Sequence, residues 1–267
     1  MAKQALKWSA FAVDRVVSPP NGVVVLIYHR VGSGSGLDVD LPVATFTDQM
    51  EQLAASVRVV TIDEALDRLE QPTASGSDPI VITFDDGTAD FADVAVPVLE
   101  RFGLPSTLYL ATAFVEEGRD FPNAGRPLSW SALEDVHATG RVTVGSHTHT
   151  HALLDRLPPT EIATELDRAD DLIEAHLGLR PHHFAYPKAV AGSSPADAAA
   201  RARYRSAALA GTHANRFGAT DPHRLARSPV QRSDGARFFA AKVAGGMRFE
   251  DSLRVAANRW RYRNATG

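Results

Sequence analysis

The chain has 267 residues, 44% hydrophobic and 22% charged, ordinary for a globular protein and enough for one large core. A formal net charge of −4 gives no electrostatic case for binding nucleic acid or an anionic membrane surface. With no cysteine, disulfides, thiolate metal sites and a cysteine nucleophile are excluded.

Met1 to Pro20 scatters Lys3, Lys7, Asp14 and Arg15 among apolar residues, with no unbroken apolar core before a small-residue cleavage site. It is expected to form an amphipathic helix on the domain rather than a signal peptide. The longest apolar run, Val23 to Ile27, is too short to span a bilayer, so the chain reads as soluble, with a cytoplasmic location expected ahead of export. That run is a buried-type strand leading into Tyr28-His29-Arg30-Val31 and a Gly/Ser loop. A helix carrying Phe46, Met50 and Leu53, a strand over Val57 to Thr61 and a helix ending near Leu69 follow.

Ile80 to Phe84 is a β-branched apolar run that stops at Asp85-Asp86-Gly87-Thr88. In α/β proteins ligands sit beyond the carboxyl ends of strands, and adjacent carboxylates repel unless one holds a cation or a proton. The bland alternative is a polar Asp-Gly turn. A helix over Phe91 to Phe102, a strand over Ser106 to Thr112, a Gly/Pro-rich loop to Leu128 and a helix from Ser129 to Gly140 follow. The strand Arg141 to Gly145 runs into Ser146-His147-Thr148-His149-Thr150-His151. One turn of helix would put His147 and His151 on the same face, a workable spacing for two nitrogen ligands of one divalent cation. Two histidines and one carboxylate leave a fourth position open, the pattern of a catalytic zinc-type site; three solvated loop histidines are the competing reading.

An amphipathic helix over Thr160 to Leu177 precedes His183-Phe184-Ala185-Tyr186-Pro187-Lys188, a short strand and turn whose backbone N–H groups could face a developing oxyanion. A helix over Asp197 to Arg203, strands at Ser206 to Leu209 and Leu225 to Val230, and helices over Ala236 to Ala244 and Phe249 to Trp260 complete the chain. Strands alternating with helices, with no linker or repeat, predict a parallel sheet closed into a barrel in one domain. Its parts are an extension over 1–20, a core over about 21–232 and C-terminal helices over 235–262.

Thr83-Phe84-Asp85-Asp86-Gly87, the Ser-His-Thr-x-Thr-His run at 146–151 and Phe184-Ala185-Tyr186-Pro187 resemble the polysaccharide deacetylases, the NodB-homology domain of carbohydrate esterase family four. Tyr28-His29-Arg30-Val31 is similar to the branch that opens with such a motif, and the likeness covers roughly residues 20 to 230. The resemblance implies an α/β fold, a distorted (β/α) barrel of about seven strands. It implies a metal-dependent hydrolase that removes N-acetyl groups from a cell-envelope or exopolysaccharide type of glycan and releases acetate. By the same likeness Asp85 is the general base, and Asp86, His147 and His151 hold one divalent ion, zinc first, with cobalt, nickel or manganese as alternatives. His29 is the general acid, and the Tyr186-Pro187-Lys188 turn, through the Lys188 N–H, faces the oxyanion. The expected partner is an N-acetylated carbohydrate, with no nucleic acid, no membrane span and no obligate protein partner. The chain departs from the family's Arg-x-Pro-Tyr at 185–188, which leaves no arginine there to orient the base. His213 and His223 are the reserve candidates for the acid. Hydrolysis of a small non-glycan amide, or a non-catalytic glycan-binding relative, are the alternatives. An aspartyl-phosphate phosphatase is excluded because its nucleophile position is Phe84.

Overall fold

The computed structural model describes residues 7–11, 21–72 and 78–248. Strand β1 (Gly22–Tyr28) is buried at every residue, as its continuous apolar run requires of a parallel strand covered on both faces. It pairs in parallel with β4 (Ile80–Asp86), and the sheet continues through β5 (Ser106–Leu110), β6 (Val142–Ser146), β7 (His183–Ala185) and β8 (Ser206–Ala208). On the other side of β1 lies β10 (Arg227–Pro229), again parallel. A parallel bridge between Ala208 and Leu225 curls this seven-stranded parallel sheet toward a barrel, the α/β architecture expected. Two short strands, β2 (Arg30–Val31) and β3 (Asp40–Leu41), form a separate ribbon, while β9 (Asn215–Arg216) runs antiparallel against the start of β1.

The period-two alternation of strand side chains divides the core. Leu26, Tyr28, Ile82, Phe84, Leu108 and Val144 face outward under the helices, where Phe46 and Met50 of α1 (Val43–Ser56) meet them. Val23, Val25, Val81, Tyr109, Ala185 and Ala208 face inward and pack on Ile62, Ala65, Leu66 and Leu69 of α2 (Ile62–Leu69). Helix α2 thus closes the end of the sheet where the strands begin, leaving the carboxyl ends for chemistry. Gly145 is required on the inner face of β6: a Cβ there would lie 2.7 Å from the Tyr109 ring and 2.8 Å from the His183 carbonyl oxygen.

The strand expected at Val57 to Thr61 reduces to one bridge between Val59 and Ile80. It uses Val60 N–H to Ile80 O and Ile80 N–H to Arg58 O, both 2.9 Å. Farther along, that edge of β4 is occupied by β5, and Thr61 has already turned to cap α2 by accepting the Glu64 N–H. The helix expected near Ala236 is α8 (Gly235–Val243). Within the N-terminal extension, residues 7–11 are helical, and Lys7 is buried with its Nζ 2.6 Å from Asp234 Oδ1. The rest of that extension and the helix expected over Phe249 to Trp260 lie outside the described residues. Among the described residues no helix is long and apolar enough to cross a membrane.

Candidate active site

Asp85 and Asp86 end β4, and strand geometry alone would send adjacent side chains to opposite faces. Asp85 keeps the inward parity of Val81 and Thr83. Asp86 takes a left-handed φ of 78°, which breaks the alternation and lets its carboxylate meet His147 and His151. Asp86 Oδ1 is 3.7 Å from His147 Nε2 and 3.5 Å from His151 Nε2. These are too long for hydrogen bonds. They match the spacing of about 3.4 Å between two ligands on a tetrahedral ion with bonds near 2.1 Å. His147 Nδ1 lies 2.7 Å from the Ala185 carbonyl oxygen, which fixes the proton on Nδ1 and turns the Nε2 lone pair toward Asp86. The donor set and its second-sphere contact therefore fit a divalent cation.

The histidine pair is not brought together by a helical turn, as the i, i+4 spacing predicted. Residues 147–151 form an irregular loop with φ of 65° at Thr148 and 63° at His151. Its backbone is committed elsewhere: His147 N–H donates to Leu110 O, Ala113 N–H to His149 O, and Thr150 N–H to the Glu165 carboxylate of α6 (Pro159–Leu177). Lys188 and Ala189, at φ of 53° and 55°, add to the backbone strain around this site. Such conformations persist only where surrounding contacts over-determine them, and they gather at functional sites.

Arg227 is the site residue that sequence reasoning missed. From the inner face of β10 it meets Asp85 bidentately, Nη1 to Oδ1 at 2.6 Å and Nη2 to Oδ2 at 2.9 Å. It also donates to Thr83 Oγ1 and to the Leu209 carbonyl, and its guanidinium lies 4.9 Å from the Tyr109 ring centroid. The arginine absent from 185–188 is thus replaced by one on another strand. An arginine inside the strand expected over Leu225 to Val230 was the available signal, since a buried guanidinium must find an anion. Burial pushes the Asp85 carboxyl up, but Arg227, with smaller help from His147 and His29, holds it down at about 2. Burial likewise lowers His151 to about 4, against the pull of Asp86, so its imidazole is neutral and able to ligate at neutral pH.

His29 directly follows β1, whose last residue, Tyr28, pairs with Phe84, and it lies near enough to Asp85 to help hold that carboxyl down. It is half-buried, and its Nδ1 is buried without a hydrogen-bond partner among the described residues. His223 lies at the opposite end of the sheet, its Nε2 2.8 Å from the Tyr204 carbonyl that precedes β8. His213 is exposed on the segment between β8 and β9. Tyr186 is only 2% exposed and packs edge-on against Phe184, 4.8 Å between centroids, so its ring belongs to the core. Pro187 is buried behind it, and Lys188 is exposed in the left-handed turn.

The polysaccharide deacetylase family model matches residues 73–207, about half of the chain, a span that includes Asp85, Asp86, His147 and His151. The chain belongs to the polysaccharide deacetylase family. It is similar to IcaB from Ammonifex degensii, at 27% identity and a TM-score of 0.73 over 84% of this chain and 98% of that one. The fold is shared with the Streptococcus pyogenes deacetylase PplD, at 19% identity and a TM-score of 0.71 over 83% and 97%. The chain is 26% identical to Bacillus subtilis YxkH over 63% of its own length and 57% of that protein's. It is 27% identical to a chitin deacetylase of Arthroderma benhamiae over 45% of this chain and 29% of that protein. It therefore spans little more than half of one curated relative and less than a third of the other. His29 and Arg227 both fall outside the family-model match, the first directly after strand β1 and the second on strand β10.

Proposed function

We propose that the protein is a metal-dependent hydrolase that removes N-acetyl groups from a glycan of the cell-envelope or exopolysaccharide type and releases acetate. The observation that carries this reading is a buried, arginine-held carboxylate, Asp85, beside an Asp-His-His cluster with ligand spacing. A divalent ion held by Asp86, His147 and His151, zinc being the first expectation, would supply Lewis acidity toward the amide carbonyl and toward water.

The chain's own groups do the rest. Asp85 is ionised at any pH above its value of about 2, so it is always in the proton-accepting state at neutral pH. Arg227 fixes both carboxylate oxygens, so proton transfer from the attacking water needs no reorientation of the base. His29, which directly follows β1 beside the end of β4, delivers a proton to the departing nitrogen as the C–N bond breaks. The Lys188 N–H, in its left-handed turn, donates to the oxygen that gains charge. The products are acetate and a free amine on the sugar.

Acetate release measured across N-acetylated glycans and small amides, with and without a chelator, tests the assignment. Release from glycans that stops with chelation supports it; release from small amides alone would transfer the same site to a different substrate class.

A further inference from the structure

The turn that leaves β10 lies at the same end of the sheet as Asp85 and Asp86, because β10, β1 and β4 run parallel. Val230 N–H donates to Ile27 O at 2.9 Å, just before His29. The next residues clasp the loop that leaves His29. Arg232 N–H donates to Asp38 O at 2.7 Å, and Ser233 reaches the Asp38 carboxylate with its N–H and its Oγ, both at 3.0 Å. The His29 ring has no such hold at Nδ1, which is buried without a hydrogen-bond partner among the described residues. Its aim therefore depends on the backbone that carries it, and the turn at 230–234 braces that backbone.

Asp234, only 3% exposed, locks the turn. It accepts the Gln231 N–H at 2.7 Å and is held by two lysines, both buried. Lys242 of α8 places Nζ 2.8 and 2.9 Å from the two carboxylate oxygens and 2.7 Å from the Pro229 carbonyl at the end of β10. Lys7 arrives from the other end of the chain. Its Nζ donates to Asp234 Oδ1 at 2.6 Å, Ser233 Oγ at 2.8 Å and Gln231 Oε1 at 3.3 Å. A buried charge must be paired and hydrogen-bonded, and Lys242 already pairs this carboxylate. The second lysine is therefore not needed to neutralise Asp234; what it adds is a set of bonds across the turn. Trp8 and Phe11 seat the segment independently, their rings 5.5 and 6.1 Å from that of Phe238 between centroids.

We propose that Lys7 is a positioning residue of the active site: by crossing the 230–234 turn it fixes the loop that leaves His29, and so aims the proton donor. The inference rests on the deacetylase reading with His29 as its acid. It brings the N-terminal extension, which lies outside the family-model match, into that chemistry.

The test is a double-mutant cycle on acetate release from N-acetylglucosamine oligomers by wild type, Lys7→Met, His29→Ala and the double variant. Methionine keeps an unbranched apolar stem, and the Lys242–Asp234 pair stays intact, so Lys7→Met should fold with a urea midpoint near that of wild type. It should lower kcat by about tenfold with KM within about twofold, short of the hundredfold of a grossly misplaced catalytic group. In the His29→Ala background the same substitution should change kcat by less than about twofold, because the group it aims is gone. Lys7→Gln, shorter but still a hydrogen-bond donor, should fall between wild type and Lys7→Met when His29 is present. An equal fall in both backgrounds, or no fall where His29 is present, overturns the inference and leaves the deacetylase reading intact. An undiminished rate in His29→Ala removes the acid and the inference together, again sparing deacetylation itself. No acetate from wild type would refute that reading.

Discussion

Replacing Arg227 with methionine probes the stability and the chemistry of the site together. Both partners of the Asp85–Arg227 pair are buried, the arginine side chain at 0% and the aspartate at 6% exposure. Removing one partner strands a carboxylate in the barrel, which costs about 3–5 kcal/mol. The pH dependence is more diagnostic than the loss. In the wild type the Asp85 pKa falls from 3.8 to about 2 on folding. At about 1.4 kcal/mol per unit, that carboxylate contributes roughly 2 kcal/mol of stability, present above pH 4 and lost as the pH falls toward 2. In Arg227→Met the largest lowering influence is gone and burial prevails, so the folded pKa rises above 3.8 and protonation favours the folded state. Urea unfolding of metal-stripped protein between pH 5 and 2 should show the wild type losing at least about 2 kcal/mol more than the variant, because the variant's Asp85 gains rather than loses stability on protonation and other carboxylates titrate equally in both. Parallel curves would refute the claim that Arg227 sets the ionisation of Asp85. Turnover at neutral pH should fall about a hundredfold, the cost of a misplaced catalytic group.

Asp85→Asn should lower kcat by about a hundredfold or more, the worth of a general base, while metal analysis still finds bound ion, since Asp86 and the two histidines remain. Loss of metal in that variant would mean that Asp85 is a ligand. His29→Ala should depress turnover without changing metal content; an undiminished rate would move the acid to another residue, with His213 next to test. Gly145→Ala should destabilise the protein by about 1–3 kcal/mol through overpacking against Tyr109 and the His183 carbonyl, read as a lower urea midpoint with an unchanged slope.

The parts of the site legible in the sequence were those written locally at strand ends. Asp85-Asp86-Gly87 and His147 to His151 each follow an apolar strand run, and parallel topology brings neighbouring strand ends together at one face. The family likeness of these motifs agrees with the match over 73–207. The curled parallel sheet followed from the alternation of strand and helix signals. Local periodicity could not supply the geometry joining His147 to His151, because left-handed turns at Thr148 and His151, on residues that rarely take them, replace a helical turn. Nor could it supply Arg227, which is 142 positions from Asp85 and meets it only through the curvature of the sheet. The Val57 to Thr61 run has genuine strand propensity, but no continuous edge was left for it beside β4. Pairing is decided by the whole sheet rather than by the segment.

The central claim is that Asp86, His147 and His151 hold a divalent ion that the deacetylation requires. Its most direct measurement is acetate release from N-acetylglucosamine oligomers by protein that is stripped with a chelator and then titrated with zinc. Activity that disappears on stripping and returns, saturating at one ion per chain, is the expected result. Full activity in protein shown by elemental analysis to carry no metal would contradict it.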